Sequence, residues 1–196
     1  MATTTTTNTR VVDGREVPPP GRWTIDTAHS QIQFVARHMM ISRVRGSFRD
    51  FSGTVVIGDD PTQSTLEVAI DAASIDTGDP NRDEHLRGPD FLDVERYPEI
   101  RYLGTSVRPE DDKWAVTGTL TIKAVTRAVT LVVEFCGAQP DPWGYVRAGF
   151  LANTEIDRED FDITWNQMLE SGGFLVGKGI RIEIDAETVL ESSTAG

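Results

Sequence analysis

Cysteine is almost missing from this chain of 196 residues. Cys136 is the only one, so no disulfide can form within the molecule and no thiolate cluster can hold a metal. A lone thiol fits a reducing compartment, and Cys136, with Val132, Val133 and Phe135 nearby, is expected to be a buried, inert side chain. Positive charge is scarce as well. The 19 Lys and Arg against 31 Asp and Glu leave a net charge of -12, which repels nucleic-acid phosphates and removes nucleic acid from the expected partners. No run reaches the roughly 18 apolar residues of a membrane span, and "MATTTTTNTRVVDGREVPPP" has neither the basic nor the apolar region of an export signal. The expected location is therefore the cytoplasm.

Catalytic and metal-binding patterns are equally thin. The three histidines, His29, His38 and His85, show no H-E-x-x-H spacing and no helical pairing, so no metal site is expected. "IDTAHS" contains Asp26, His29 and Ser30, the residue types of a nucleophilic triad, but residues on one extended segment diverge. A turn in which Asp26 and Ser30 bond the backbone is the better reading. "GGFLVGKG" lacks the phosphate-loop pattern and reads as a hairpin loop, and "EIDREDFD" lacks a calcium-loop framework and reads as a solvated acidic turn. Helix signal is short: Asp79 followed by Pro80 resembles an N-cap with proline at the first position, ended by Gly88 and Pro89, and a second turn begins near Asp157.

What the chain has in quantity is period-two alternation. Ile32, Phe34 and Ala36, Leu66, Val68 and Ile70, and Ile180, Ile182 and Ile184 alternate with polar or small residues. The same holds for Val116, Leu120 and Ile122, for Val129 to Phe135, and for Val146, Ala148 and Phe150. Adding segments near residues 46–57 and 99–107 gives roughly eight strands. With so little helix the sheet is antiparallel, and a sheet of that size closes on itself or splits into two layers. Phe48 and Phe51 stand three apart, so a bulge is expected between them. Residues 1–21, Thr-rich and ending in three prolines and Gly21, are expected to be a disordered tail. Residues 22–191 form one β domain, and residues 192–196 are frayed. Whether the interior is packed or hollow stays open, because aromatic residues fill ordinary cores too.

Five ordered blocks go further. "WTIDTAHSQIQFVARH", "VRGSFRDFSGTV", "IDTGDPNRDEHLRGPDFLDVERYPEIRY", "GTLTIKAVTRAVTLVVEF" and "DREDFDITWN" resemble the YceI-like family of lipocalin-like, polyisoprenoid-binding proteins, from about Trp23 to Glu191. The resemblance implies an all-β fold, an eight-stranded antiparallel lipocalin-like barrel with one or two short helices around an apolar tunnel. It implies a carrier with no catalytic residues and no cofactor. The expected ligand is a long-chain isoprenoid, an isoprenoid quinone or a fatty-acyl lipid. Ile32, Phe34, Ala36, Phe48, Tyr102, Leu120, Ile122, Phe150 and Trp165 are expected to line the tunnel, with His38, Arg82 and His85 at its mouth or on a headgroup. A homodimer is compatible with the family. Family members often carry glycine where Ala124 stands, proline where Ala128 stands, and asparagine and glycine where Asp157 and Asp162 stand. Two other functions compete: an enzyme using His29, His38 or His85 as acid or base in the barrel pocket, and a packed domain acting through protein contacts.

Overall fold

The computed structural model describes residues 8–170 and 172–191, so the expectations for residues 1–7 and 192–196 lie outside the described residues. The alternating segments become strands. A hairpin of β1 (Arg10–Val12) and β2 (Arg15–Val17) comes first. It is followed by β3 (Gly21–Ile25), β4 (Gln31–His38), β5 (Ser42–Phe48), β6 (Phe51–Ile57), β7 (Thr65–Asp71) and β8 (Ile75–Asp76). After the helix α1 (Pro80–Arg87) come β9 (Glu99–Glu110), β10 (Lys113–Ile122), β11 (Val125–Pro140), β12 (Val146–Asp157) and β13 (Val176–Leu190).

Hydrogen bonding runs β12-β11-β10-β9-β7-β6-β3-β13, all antiparallel, and the pairing of β12 with β13 closes the ring. β13 holds β3 along Thr188–Leu190 and β4 along Val176–Asp185, so β3 and β4 are halves of one interrupted strand. β6 pairs with β3 and β5 with β4, which makes β5 and β6 the halves of the next. The result is a closed eight-stranded antiparallel barrel, in which the outer side of β5 pairs only with β8, at Ser47 and Phe48.

Local chemistry explains the irregular points. The break at Arg49 and Asp50 between β5 and β6 resets the alternation, and both Phe48 and Phe51 turn inward. Gly46 is needed because a Cβ there would stand 2.3 Å from the ring of Phe34, its cross-strand partner. α1 starts where the Asp79 carboxylate accepts the Asn81 and Arg82 amides, has Pro80 in its first turn, and stops at Gly88.

Two expectations are corrected. Residues 10–17 are not a structureless tail. Asp13 and Gly14 take positive φ values of 50° and 76°, the backbone of a tight hairpin turn, and Val17 is only 2% exposed. Arg10 bonds the carbonyl oxygens of Gly58 and Asp59 at 2.5 and 2.6 Å, and Arg15 bonds that of Asp111 at 2.5 Å. Side-chain bonds to the barrel supply the order that composition alone does not. Cys136 is exposed, not buried, because the alternation of β11 turns Val133 and Phe135 inward and leaves the thiol outside, beside a bulge at Phe135–Gly137. Burial of part of the thiol, with Glu134 nearby, raises its pKa and keeps it protonated.

Candidate functional site

The inward side chains of the ring do not fill the interior. They enclose a cavity of about 320 Å³ lined by Ile32, Phe34, Ala36 and Phe48 from the first two strands, Leu66, Val68 and Ile70 from β7, and Ile100 and Tyr102 from β9. Leu120 and Ile122, Leu131 and Val133, Phe150, and Ile180, Ile182 and Ile184 complete the circumference. The volume lies near the lower end of the range for small-molecule sites. Strand alternation makes the wall largely apolar: most of the residues that face in are aliphatic or aromatic, with Thr154 and Thr188 among the polar exceptions.

The few polar groups in the wall are mostly engaged. The Tyr102 hydroxyl lies 2.8 Å from the Val116 carbonyl oxygen and 3.1 Å from that of Val129, and burial pushes its pKa up to about 12. Ser30 Oγ donates to the Asp26 carbonyl at 2.7 Å and accepts from the Glu187 amide at 2.9 Å. Arg158, 3% exposed, donates Nε to Gly177 O at 3.1 Å and Nη1 to Ile163 O and Trp165 O at 2.6 and 2.9 Å.

The barrel is closed differently at its two ends. At the end formed by the β6–β7, β9–β10 and β11–β12 connections, the β1–β2 hairpin lies across the opening, and Val17 and Pro18 enter the cavity wall. At the opposite end α1, the segment 88–98 and the segment 158–165 cover the opening, with Leu86, Phe91, Leu92 and Ile163 in the wall.

Of the residues expected in the tunnel, Ile32, Phe34, Ala36, Phe48, Tyr102, Leu120, Ile122 and Phe150 line the cavity. Trp165 does not. It packs behind Phe91 at 5.3 Å between ring centroids, and Phe91 takes the place in the wall. His38, Arg82 and His85 do not reach the cavity either. Arg82 is drawn to Thr77, with Nε 2.7 Å from Oγ1 and Nη2 3.0 Å from the carbonyl oxygen, which fastens the start of α1. The His85 ring stands edge-on to Phe91 and Trp165 at 5.0 and 4.8 Å, and its Nε2 is 3.0 Å from Asp90 Oδ2. His38 sits two residues beyond Ala36, at the last position of β4, half-buried. Arg82 and His85 thus pair with their own segment and stay out of the cavity wall. Arg158 was missed because it stands in an acidic stretch that reads as solvated; Phe161, 1% exposed, and Ile163 were the apolar signal that this turn is inside.

Outside the cavity, the "IDTAHS" turn is pinned as read: Asp26 Oδ1 accepts the Ala28 amide at 3.0 Å. It also joins an ion-pair cluster. Arg147 Nη1 reaches Asp26 Oδ2 at 2.6 Å and Glu187 Oε1 at 2.5 Å, its Nε reaches Asp141 Oδ2 at 2.8 Å, and His29 Nδ1 lies 2.9 Å from Asp26 Oδ2. Arg147 first, and His29 second, hold the Asp26 carboxyl at about 2. Asp26, His29 and Glu187 bring ligand atoms within 4.8 Å of one another, but the guanidinium of Arg147 already supplies the positive charge at that point.

A family model described as the YceI-like domain matches residues 23–188, nearly the whole barrel and none of the β1–β2 hairpin. Protein YceI of Salmonella newport is 39% identical over 137 residues, which cover 69% of this chain and 72% of that protein. Among solved structures, BcnA of Burkholderia cenocepacia superposes with a TM-score of 0.72 at 26% identity, over 83% of this chain and 98% of that one. A polyisoprenoid binding domain from Saccharophagus degradans superposes with a TM-score of 0.64 over 86% of this chain and 98% of its own, at 14% identity, a likeness of fold.

Proposed function

We propose that this chain, which belongs to the YceI-like family, is a binding protein that holds a long apolar molecule, a polyisoprenoid or a similar lipid, inside its barrel without transforming it. The observation that carries this reading is the cavity of about 320 Å³ with aliphatic or aromatic residues of every strand of the ring in its wall. At about 0.8 kcal/mol per buried CH₂, a five-carbon isoprene unit contributes roughly 4 kcal/mol gross. About four units offset even the upper estimates of the association cost, roughly 15 kcal/mol. An apolar enclosure is therefore sufficient for binding, and shape limits what enters. Isoprenoids are the favoured class because the Saccharophagus degradans neighbour, described as polyisoprenoid-binding, shares this barrel.

Holding is favoured over catalysis by the state of the polar groups in the wall. Ser30 is tied to the backbone, and Tyr102 has a pKa of about 12 and cannot serve as a base near neutrality. The histidines stand outside the cavity wall. Trp114 is in the wall and reports occupancy. Titrating lipid-stripped protein with an isoprenoid quinone, which quenches tryptophan emission, should give saturable quenching at one equivalent. Quenching that stays linear in added quinone contradicts the reading.

A further inference from the structure

Among the described residues Arg158 is the one charged side chain in the cavity wall, and no carboxylate pairs with it directly. It opens a short 3-10 turn, Arg158–Phe161, capped by the Asp157 carboxylate, and it is 3% exposed. Nε and Nη1 are spent on three carbonyl oxygens. Nη2, buried with them, is without a hydrogen-bond partner. Among the described residues no carboxylate lies within 4.0 Å of the guanidinium, and the adjacent Glu159 pairs with Lys178 at 2.6 Å. Carbonyl dipoles are partial compensation for a buried cation. An arginine stays protonated under these conditions, so the remaining cost persists until an oxygen acceptor arrives.

We propose that Arg158 is the headgroup receptor of the cavity: the occupant is an amphiphile with an anionic oxygen head, a carboxylate or a phosphate monoester, that accepts hydrogen bonds from Nη2. This rests on the reading of the barrel as a lipid holder and adds a polarity to it. The head lies at the end covered by α1 and the segment 158–165, and the tail runs along the inward faces toward Val17 and Pro18 under the β1–β2 hairpin. An anionic oxygen is favoured over a neutral one because charge-assisted hydrogen bonds are about twice as strong, and because it neutralises a charge held in a largely apolar wall.

The test compares heads on identical tails: palmitoleate against palmitoleyl alcohol, and geranylgeranyl monophosphate against geranylgeraniol, each titrated into lipid-stripped wild type and Arg158→Gln. Wild type should bind at least one anionic head tenfold or more tighter than its alcohol, and the pair that shows the larger ratio identifies the source as acyl or isoprenoid phosphate. Arg158→Gln should lose that preference while its affinity for the alcohols stays within about twofold. Asn166, whose side chain bonds both backbone groups of Val176 at 2.7 and 3.0 Å, continues to fasten the same loop in the variant.

A measurement on wild type alone guards against a variant that fails to fold: the carboxyl carbon of [1-13C]palmitoleate bound in the cavity, followed by NMR as pH is lowered. Paired with Arg158, it should titrate below the value of the same acid free in water. In an apolar enclosure without a cation it would titrate well above. Equal affinity for acid and alcohol in both pairs, a preference that survives in Arg158→Gln, or a raised carboxyl pKa each overturns the assignment while leaving the lipid-holding reading intact. Failure of wild type to bind any of the four amphiphiles overturns both.

Discussion

The two ends of the barrel are shut by different chemistry. One is crossed by the β1–β2 hairpin, which lies outside the span matched by the family and is fastened largely by arginine side chains reaching carbonyl oxygens of the strand connections. The other is covered by connections of the barrel itself, the α1 segment and residues 158–165. There Phe91, Leu92, Phe161 and Ile163 are all less than a tenth exposed and Arg158 is buried with them. Hydrogen bonds from exposed side chains compete with water and contribute about 1 kcal/mol each, whereas every buried aromatic or aliphatic side chain contributes about 1.5–3 kcal/mol. The hairpin end is thus the weaker closure, and under the proposed function it is the end at which an apolar chain enters.

The largest expected effect comes from removing the weak closure. A chain starting at Pro18 should release a bound quinone tenfold or more faster than the full chain in a stopped-flow chase. It should lose about 2 kcal/mol of unfolding free energy, the scale of burying Val17. Unchanged release would show that ligand passes through the other end. Next comes a block inside the barrel. Ala36→Trp adds an indole to the wall, and it should weaken quinone affinity tenfold or more while changing stability by less than about 1 kcal/mol, because the ring enters space and not packed atoms. A loss of 3 kcal/mol or more in the melting curve would mean a filled interior.

A smaller effect separates the ends by pH. The Asp26–Arg147–Glu187 cluster ties β3, β12 and β13 near the hairpin end. The Asp26 carboxyl is held at about 2, below its unfolded value, so its contribution is complete above about pH 4 and is lost as pH falls through 2. That contribution is about 1–2 kcal/mol. Hydrogen exchange should therefore rise first in β3 and the start of β12 between pH 4 and 2, and Asp26→Asn should remove this pH dependence. The smallest effect is at mid-barrel. Tyr102→Phe deletes the hydroxyl beside the Val116 and Val129 carbonyls and should cost about 1 kcal/mol by urea denaturation, with quinone affinity within about twofold of wild type.

The contrast between the ends is also a contrast in what the sequence makes legible. Mid-barrel, alternation is enough: the runs through Ile32, Val68, Leu131 and Ile182 identify strands and their inward faces, because a period of two has one meaning when one side is apolar. The ends obey no period. The hairpin was hidden by the Thr-rich composition around it, although "VVDGREV" carries the Asp-Gly turn signal between apolar residues. At the helical end, His38, Arg82 and His85 have the right chemistry for a headgroup, but Thr77 and Asp90 hold two of them to their own segment. Arg158 carries no mark in one dimension, since its environment is made by the carbonyls of Ile163, Trp165 and Gly177, which only the folded loop brings to it.

The central claim is that the interior is a lipid-holding space, and its most direct measurement is organic extraction, followed by mass spectrometry, of protein purified without added lipid. The account predicts one long apolar amphiphile per chain, released on denaturation and absent from Ala36→Trp. Protein that yields no such molecule, and that also takes up none when refolded in the presence of isoprenoid or acyl lipids, would contradict it.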